Sequence, residues 1–163
     1  MGRIVSNTGP IIGLAKIEKL DLFKILGKEI IIPPYVYKEL FGKIGPEAAQ
    51  IEDALREFIR VMPINLLDPP RERSLVELDE GERQAILLAR SLGKDTLLLM
   101  DDYAGRKAAR DLKIGVTGLV GLLLLAKERG LVEKVTPLIE KIRMNGYWLS
   151  DEVMEIARRL AGE

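Results

Sequence analysis

Apolar positions along the chain follow two spacings, one typical of buried strands and the other typical of amphipathic helices. Both occur in succession near the middle of the sequence. Residues 80–92 carry apolar side chains at helical spacing, which predicts a helix with one face packed on a sheet. Thr96 to Met100 is an almost wholly apolar run, typical of a strand buried on both faces of a parallel sheet. Two adjacent carboxylates, Asp101 and Asp102, follow where that strand must emerge.

The same two spacings predict the remaining elements of the chain. Strands are predicted at residues 3–6, 29–32, 61–67, 96–100 and 115–117. Helices are predicted at residues 10–18, 19–26, 33–42, 46–59, 80–92, 103–113, 118–129, about 133–144 and 150–161. Pro63 lies inside the third strand, so that strand is expected at the edge of the sheet. Asp68-Pro69-Pro70 and the charged residues after them are expected to form a loop that leads to Asp79.

Alternation of strands and helices with short connections predicts an α/β fold, a three-layer α/β/α sandwich with a central, mostly parallel sheet. A chain of 163 residues suits one domain, so residues 1–163 are expected to form a single unit with the C-terminal helices, about 131–163, packed on it. Open α/β sheets bind ligands beyond the carboxyl ends of their strands. Asn7, after the first strand, and the Asp101/Asp102 pair are therefore expected at one edge.

Composition narrows the chemistry that this edge can perform. The sequence is 47% hydrophobic and 31% charged, with 25 basic and 25 acidic residues, so any affinity for nucleic acid must come from local charge. It contains no cysteine and no histidine, which excludes disulfides, thiolate nucleophiles, Ser-His triads and His or Cys zinc sites. Catalysis must rest on carboxylates, and Mg²⁺ or Mn²⁺ is the partner that such oxygen ligands prefer.

Only general features of the sequence indicate the cellular location of the protein and the kind of organism it comes from. No secretory signal is visible, and the longest apolar run, residues 116–126, is too short to cross a bilayer. We therefore expect a cytoplasmic protein without a membrane partner. High contents of Ile, Leu, Lys, Arg and Glu favour a thermophilic source.

Acidic residues near the predicted edge also have ordinary structural explanations. Residues 79–82 match a capping box, in which Glu82 reaches back to the start of its helix. Asp102 is equally explained as the N-cap of the helix from residue 103, with Asp101 as its solvated neighbour. Glu39 is equally a surface helix residue.

The combination of these residues nevertheless indicates more than its members do. Paired carboxylates at the end of a buried strand repel each other and lose hydration, which costs several kcal/mol unless a cation or hydrogen-bond donors compensate. A divalent cation compensates directly. Asn7, which alone is also explained as a turn residue, is expected at the same edge as this pair.

Several segments, in this order and spacing, resemble the PIN-domain family, in particular its toxin-like ribonuclease branch of DUF3368-like prokaryotic proteins. The resemblance covers about residues 3–145. The segments are VSNTGPIIGLAKI, VYKEL, GERQAILLA and LLLMDDYAGRKAA, and VTGLVGLLLLAKERGLV continues the similarity.

This resemblance implies a three-layer α/β fold that gathers acids around Mg²⁺ or Mn²⁺ and cuts RNA. By position, the family's catalytic acids fall on Glu39, Glu82 and Asp101 or Asp102. The first-strand aspartate of the family falls on Asn7, which offers a carbonyl oxygen to the metal but no charge. The implied mechanism is hydrolysis of a phosphodiester by a metal-activated water.

Partners are implied by the same resemblance. RNA would be held by Arg106, Lys107 and Arg110 on the helix after the aspartate pair, although these residues also fit a solvated face. Thr8 would orient a ligand or water, or cap its helix. Many PIN domains are toxins, which implies an antitoxin protein. A homodimer is expected because the helix at 118–127 is apolar nearly all round and Tyr147-Trp148 adds aromatic area.

Of three alternatives, the sequence favours one and argues against the other two. A catalytically degenerate PIN domain would act as a nucleic-acid- or protein-binding module, and the uncharged Asn7 favours it. A receiver-like phosphoacceptor domain normally carries its acid pair after the first strand and a lysine after the last, whereas here the pair comes late. A phosphatase of the haloacid-dehalogenase type requires Asp-x-Asp after strand one, and residues 6–9 lack it.

Overall fold

The central element of the fold is a five-stranded sheet in which all neighbouring strands are parallel. This computed structural model describes residues 2–27, 29–42, 45–64 and 73–163. The spatial order of the strands is β3-β2-β1-β4-β5. Their bounds are β1 Arg3–Ser6, β2 Glu29–Ile32, β3 Ile59–Val61, β4 Thr96–Leu99 and β5 Val116–Thr117.

Ten helices surround the sheet within the described ranges. Their bounds are α1 Thr8–Lys16, α2 Asp21–Leu26, α3 Pro34–Phe41, α4 Ala48–Glu57, α5 Arg73–Val76, α6 Glu80–Leu92, α7 Tyr103–Asp111, α8 Leu119–Glu128, α9 Thr136–Met144 and α10 Asp151–Ala161. In the part of the chain that is described, none of these helices combines the length and the apolar character needed to cross a bilayer.

Both faces of the sheet are covered, because successive side chains of each strand point to opposite sides. Ile4 and Leu99 lie in a core formed with α1 to α4 and with the C-terminal helices α8 to α10. Val5 and Leu98 lie in a second core formed with α5, α6 and α7. The predicted three-layer α/β/α sandwich is therefore confirmed, with a sheet that is wholly parallel in the described residues.

The order of the strands creates one break in the direction of winding. The chain moves outward from β1 through β2 to β3, and then returns to place β4 on the other side of β1. Adjacent connections diverge at such a switch point and leave a crevice beyond the carboxyl ends of the two central strands. Asn7 and the Asp101/Asp102 pair emerge from β1 and β4, so the topology places them at this crevice.

Several predicted boundaries differ from the observed ones, and the edge strand and the first helix are two of them. The third strand, predicted at 61–67, is at Ile59–Val61, because Ile59 is buried and pairs with Ile30 directly after α4 ends. It does lie at the sheet edge, and Pro63 follows it; residues 65–67 of the predicted strand and the predicted loop at 68–70 fall outside the described residues. The first helix starts at Thr8 and not at Pro10, since proline is tolerated within a first turn whose amides lack helical partners.

One short helix was not predicted. α5 occupies part of the charged stretch expected to be a loop, and its Leu75 is fully buried against the α6 and α7 side of the sheet. Arg83 fixes this stretch to α6 by donating to the main-chain carbonyls of Leu75 at 2.9 Å and Leu78 at 2.6 Å. These hydrogen bonds hold the residues just before Asp79 against α6, so Asp79 lies at the start of that helix.

Candidate active site

The carboxyl edge of β1 and β4 holds the candidate site. Ser6 pairs with Leu99, and the Asn7 amide donates to the Leu99 carbonyl at 3.1 Å, so the two strands end at the same level. Helices α1, α7 and α8 begin directly after β1, β4 and β5. Their amino-terminal ends, which carry the positive end of the helix dipole, therefore lie at this edge, where they favour negative charge.

Asn7 occupies the N-cap position of α1, but its side chain makes no capping hydrogen bond. Its amide oxygen Oδ1 is buried and has no hydrogen-bond partner among the described residues. An unsatisfied buried polar atom costs about 1–3 kcal/mol, so helix capping or turn formation does not account for this side chain. The unpaired oxygen is chemically suited to a cation.

Glu39 lies on the exposed side of α3, where three helices meet. Its Oε1 accepts a hydrogen bond from Thr8 Oγ1 at 3.1 Å. On the other side it approaches Gly81 so closely that a β-carbon there would lie 2.5 Å from Oε1. The Tyr35 amide donates to Gln84 Oε1 at 3.1 Å and so holds α3 against α6. Thr8 thus contacts a candidate acid instead of capping its own helix with its side chain.

Glu82 forms the capping box that its spacing predicts. Its amide donates to Asp79 Oδ1 at 2.9 Å, and its Oε2 accepts from the Asp79 amide at 3.3 Å. Burial, followed by the negative charges of Asp79 and Asp102, raises the pKa of Glu82 to about 7. The carboxyl therefore forms the capping box, and its raised pKa reflects first its partial burial and then the charges of Asp79 and Asp102.

The two aspartates after β4 face different surroundings. Asp102 is the N-cap of α7, and its Oδ2 accepts from the Gly105 amide at 2.7 Å. Its charge acts on Glu82, as the raised pKa of Glu82 shows. Of the pair, only Asp102 is among the causes of the raised pKa of Glu82, after burial and the charge of Asp79.

Asp101 is held by groups on the C-terminal side of the fold. Its Oδ1 accepts from the Leu119 amide at 2.7 Å, and its Oδ2 accepts from the Tyr147 hydroxyl. Gly118 permits the first contact, because a β-carbon there would lie 2.7 Å from Oδ1. Burial raises the pKa of Asp101, and the Leu119 amide and the Arg106 charge oppose that shift. The expectation that Asp101 is merely a solvated neighbour was wrong.

Asn7, Glu39, Glu82 and Asp102 supply only oxygen donors, which is the ligand chemistry of Mg²⁺ and Mn²⁺. The orphaned Asn7 oxygen fits such an ion. Across residues 2–27, 29–42, 45–64 and 73–163, however, no three carboxylates are already gathered into a metal-binding group. The donors are of the right kind, and a cation would have to draw them together on binding.

A cleft of about 760 Å³ adjoins the aspartates, and Glu82 is not among its lining residues. Its walls come from the start of α7, the start of α8 and the connection between α9 and α10; the lining includes Asp101, Asp102, Tyr103, Arg106, Tyr147 and Trp148. The structure brings Arg106 to this cleft, but Lys107 and Arg110 are not among its lining residues. Lys107 pairs with Asp111 at 3.3 Å, and Arg110 is exposed.

Tyr147 was not among the predicted site residues, where it counted only as aromatic area for a dimer. Its contact with Asp101 joins residues 46 positions apart in sequence. No local spacing encodes such a contact. A tyrosine beside glycine in a connection between two helices, Gly146-Tyr147, was the only available signal.

An all-parallel sheet covered by helices on both faces, with oxygen-bearing side chains at its switch point, is consistent with a nuclease-type PIN fold. The chain is a member of the DUF3368 family, described as a PIN domain, whose family model matches residues 3–163. The predicted resemblance is thus confirmed. PIN domains generally depend on divalent metals and typically bind nucleic acid.

Comparison with solved structures shows similarity to a PilT N-terminus domain protein, SSO1118, from the hyperthermophilic archaeon Sulfolobus solfataricus P2. The two share 18% sequence identity over 76% of this chain and 91% of that chain, with a TM-score of 0.49. No curated protein matches the chain.

Proposed function

We propose that the protein is a Mg²⁺- or Mn²⁺-dependent endoribonuclease that hydrolyses RNA phosphodiesters. The observation that supports this most is the buried, unpaired Oδ1 of Asn7 at the switch point of a PIN-family sheet. An amide oxygen left unsatisfied at the sheet edge where Asp101 and Asp102 also emerge would gain a partner from a cation that binds there.

Asn7, Glu39, Glu82 and Asp102 would hold the ion. When bound, it would supply an activated water and neutralise charge on the phosphate. Asp101 is also a candidate catalytic acid, but its two oxygens are engaged by Leu119 and Tyr147. Its proposed contribution is to hold the β4–α7 turn so that Asp102 faces α6.

Glu82 links metal binding to protons. With a pKa of about 7 it is partly protonated at neutral pH, because its carboxylate is partly desolvated and lies near Asp79 and Asp102. Binding a cation requires the carboxylate form, so binding should release a proton and strengthen as the pH rises towards 7.

Arg106 is the proposed phosphate contact. It lines the cleft, and its Nη1 donates to the main-chain carbonyls of Met100 at 3.2 Å and Asp101 at 2.6 Å. These bonds fix the guanidinium beside the aspartates. Lys107 and Arg110, on the same helix but outside the cleft, remain proposed contacts for RNA beyond the reacting phosphate.

Cleavage of RNA by purified variants tests the proposal. Asp102→Asn removes a charge from the proposed ligand set, so Mn²⁺-dependent cleavage should fall by orders of magnitude. Asp53→Asn is the matched control, since it changes an exposed aspartate of α4 that pairs with Arg56 and lies outside the proposed site. Equal cleavage by Asp102→Asn and the wild-type protein would contradict the proposed site.

A catalytically degenerate PIN domain that only binds nucleic acid or protein is the second candidate. Two observations favour it: position 7 carries no charge, and no three carboxylates are gathered for a metal in the described residues. Calorimetry with Mn²⁺ separates the two. RNA binding without heat from Mn²⁺, and without cleavage, would support the binding module.

Protein partners are a further part of the proposal. α8, whose apolar surface suggested a dimer, is mostly covered inside the fold, with Leu122 and Leu123 fully buried. A groove of about 510 Å³ remains between α8 and α10, and Leu160 beside it is 68% exposed. This groove is the proposed contact for a second copy or, if the protein is the toxin of a cytoplasmic toxin–antitoxin pair, for the antitoxin. Sedimentation as a monomer at tens of micromolar would contradict a dimer.

The charged composition supports a thermophilic source.

A further inference from the structure

A second pocket, of about 210 Å³, lies at the amino-terminal edge of the sheet, the edge opposite the candidate active site. Its lining residues come from the carboxyl ends of α6 and α7 and from the segments that lead into β4 and β5. The length of β4 separates this pocket from the aspartate pair, roughly 15 Å at a rise of about 3.3 Å per residue. The pocket shares no lining residue with the cleft beside the aspartates.

Thr96 provides the observation that points to a ligand in this pocket. It is 7% exposed, and its buried Oγ1 has no hydrogen-bond partner among the described residues. Side chains alternate along a strand, so Thr96 faces the same side of the sheet as Leu98, which packs in the core with α6 and α7. The pocket lies on this side, and Thr96 is one of its lining residues. Buried hydroxyls are normally hydrogen-bonded, so a ligand that accepts from this one would remove an unfavourable term.

Positive charge collects around the same hydroxyl. Arg90, Lys94 and Lys113 line the pocket, and no acid is found among its described lining residues. Arg90 already has an interaction partner, whereas Lys94 and Lys113 form no ion pair and donate no side-chain hydrogen bond within the described ranges. The whole chain carries equal numbers of basic and acidic residues, so this is a local excess of cations. An anion is therefore the ligand that the pocket favours.

Lys113 holds a left-handed backbone conformation, with φ at 62°. The amides of Lys113 and Ile114 donate to the carbonyls of Arg110 and Ala109, which is the usual turn at the end of a helix. Glycine normally occupies this position, because a β-carbon is unfavourable there. α6 ends on such a residue, Gly93, with φ at 89°. The lysine thus weakens the fold locally while it supplies charge to the pocket.

Helix ends offer an ordinary explanation for both lysines, because cations are favourable beside the carboxyl end of a helix. That explanation accounts neither for the unpaired hydroxyl of Thr96 nor for a lysine where glycine would fit better. The same helix ends oppose a bound anion, but each carries only about half a unit of negative charge. Each lysine carries a full positive charge, so the balance at the pocket remains positive.

We propose that this pocket, defined by Thr96, Lys94 and Lys113, is a binding site for phosphate, either the inorganic ion or the phosphate group of a small monoester. Such a group carries about 1.5 to 2 negative charges near pH 7 and several acceptor oxygens, which match two lysines and a hydroxyl donor. Pockets for larger organic ligands measure about 300–1,000 Å³, so a pocket of about 210 Å³ suits a small anion. The site is independent of the proposed nuclease activity.

Calorimetry of the full-length protein in EDTA, at constant ionic strength in chloride, tests the site with inorganic phosphate and with ribose 5-phosphate. Thr96→Val keeps the shape of the side chain but removes the hydroxyl, so it should weaken phosphate binding by about tenfold. Urea unfolding without phosphate should show this variant to be as stable as the wild type or more stable, because an unpaired buried hydroxyl is lost. Heat from ribose 5-phosphate alone would assign the site to monoesters, and equal heats would assign it to the phosphate group itself.

Lys113→Gly gives the second variant with two opposite effects. It should weaken phosphate binding by about tenfold, because a cation is lost, and should raise stability, because glycine adopts the left-handed conformation freely. A lysine that only stabilises the end of α7 would give the reverse change in stability and no change in binding. Lys134→Gln is the matched control, since it removes an exposed lysine just before α9 and should bind phosphate like the wild type.

Arg106→Gln separates this pocket from the cleft beside the aspartates, and we expect it to retain phosphate binding. Loss of binding in Arg106→Gln together with wild-type binding in Thr96→Val would place the phosphate in that cleft and overturn the proposal. Absence of heat from either probe at millimolar concentrations would also overturn it. So would unchanged affinity in both Thr96→Val and Lys113→Gly.

Discussion

Replacing Glu82 by Gln should remove a pH-dependent loss of stability from the metal-free protein. The pKa of Glu82 is raised from 4.5 to about 7 in the folded state, first by burial and then by Asp79 and Asp102. Between these two values the folded state binds more protons than the unfolded state. The free energy of unfolding therefore falls as the pH rises from about 4.5 to about 7, and is constant with respect to this group at higher pH.

The size of the effect follows from the shift. A difference of 2.5 pH units between 4.5 and 7 corresponds to an upper limit of about 3.4 kcal/mol. Glu82 is partly exposed, so solvent screening reduces the expected effect to about 1–2 kcal/mol. Glutamine at this position keeps the length of the side chain and an oxygen that can accept from the Asp79 amide, so the capping box should survive the change.

Urea unfolding in EDTA between pH 4.5 and 8 measures the prediction. At pH 7.5 Glu82→Gln should be about 1–2 kcal/mol more stable than the wild-type protein, and near pH 4.5 the two should converge. Burial also raises the pKa of Asp101, which gives both proteins a decline of the same sign, so the difference between the profiles isolates Glu82. Glu52→Gln, an exposed change on α4, is the control. Parallel profiles for the wild type and Glu82→Gln would refute the reasoning.

Three further predictions concern the edge and the C-terminus. Asn7→Asp should raise Mn²⁺ affinity by about tenfold in calorimetry, because it adds a charge to the site, and should lower stability without metal; equal affinities would show that position 7 is not a ligand. Asp101→Asn should reduce cleavage less than Asp102→Asn, since its amide can still accept from the Tyr147 hydroxyl; the reverse order of rates would assign the metal to Asp101. Glu163→Gln should cost roughly 1 kcal/mol at pH 7 in urea unfolding, after allowance for solvent screening. Desolvation alone would raise the pKa of Glu163, but hydrogen bonds from Lys127 and two main-chain amides outweigh it and lower this pKa to about 2. The stability that Glu163 contributes should therefore vanish as the pH falls from 4.5 towards 2. A stability difference between Glu163→Gln and the wild type that stays constant across that range would contradict the prediction.

Elements with a strong local pattern could be predicted from the sequence. The bounds of β1, β2 and α6 match the prediction because each combines a clear apolar spacing with a clear stop, such as Gly93 after α6. The strand at the edge could not be placed, because β3 is only three residues long and its position depends on pairing with β2. Pairing is a tertiary contact, and a local apolar pattern does not encode it.

In the candidate site, as in the fold, the sequence predicted the features that depend on local spacing and missed those that depend on tertiary contacts. Glu82 and Asp102 were expected as caps or as ligands, and the structure shows the caps, together with a raised pKa of Glu82 that no spacing reveals. The separate surroundings of Asp101 could not be predicted, because they come from Leu119 and Tyr147 on elements remote in sequence. The orphaned oxygen of Asn7 likewise depends on burial by the assembled fold.

The bond between Tyr147 and Asp101 also sets an order of events during synthesis. All five strands and the proposed ligand residues leave the ribosome before residue 147, but the β4–α7 turn lacks this partner until the connection between α9 and α10 has emerged. Trp148, which also lines the cleft, emerges directly after Tyr147. A nascent chain halted after α8 would therefore possess the acids but not the bond that holds Asp101, so this side of the cleft forms only after the whole sheet has been synthesised.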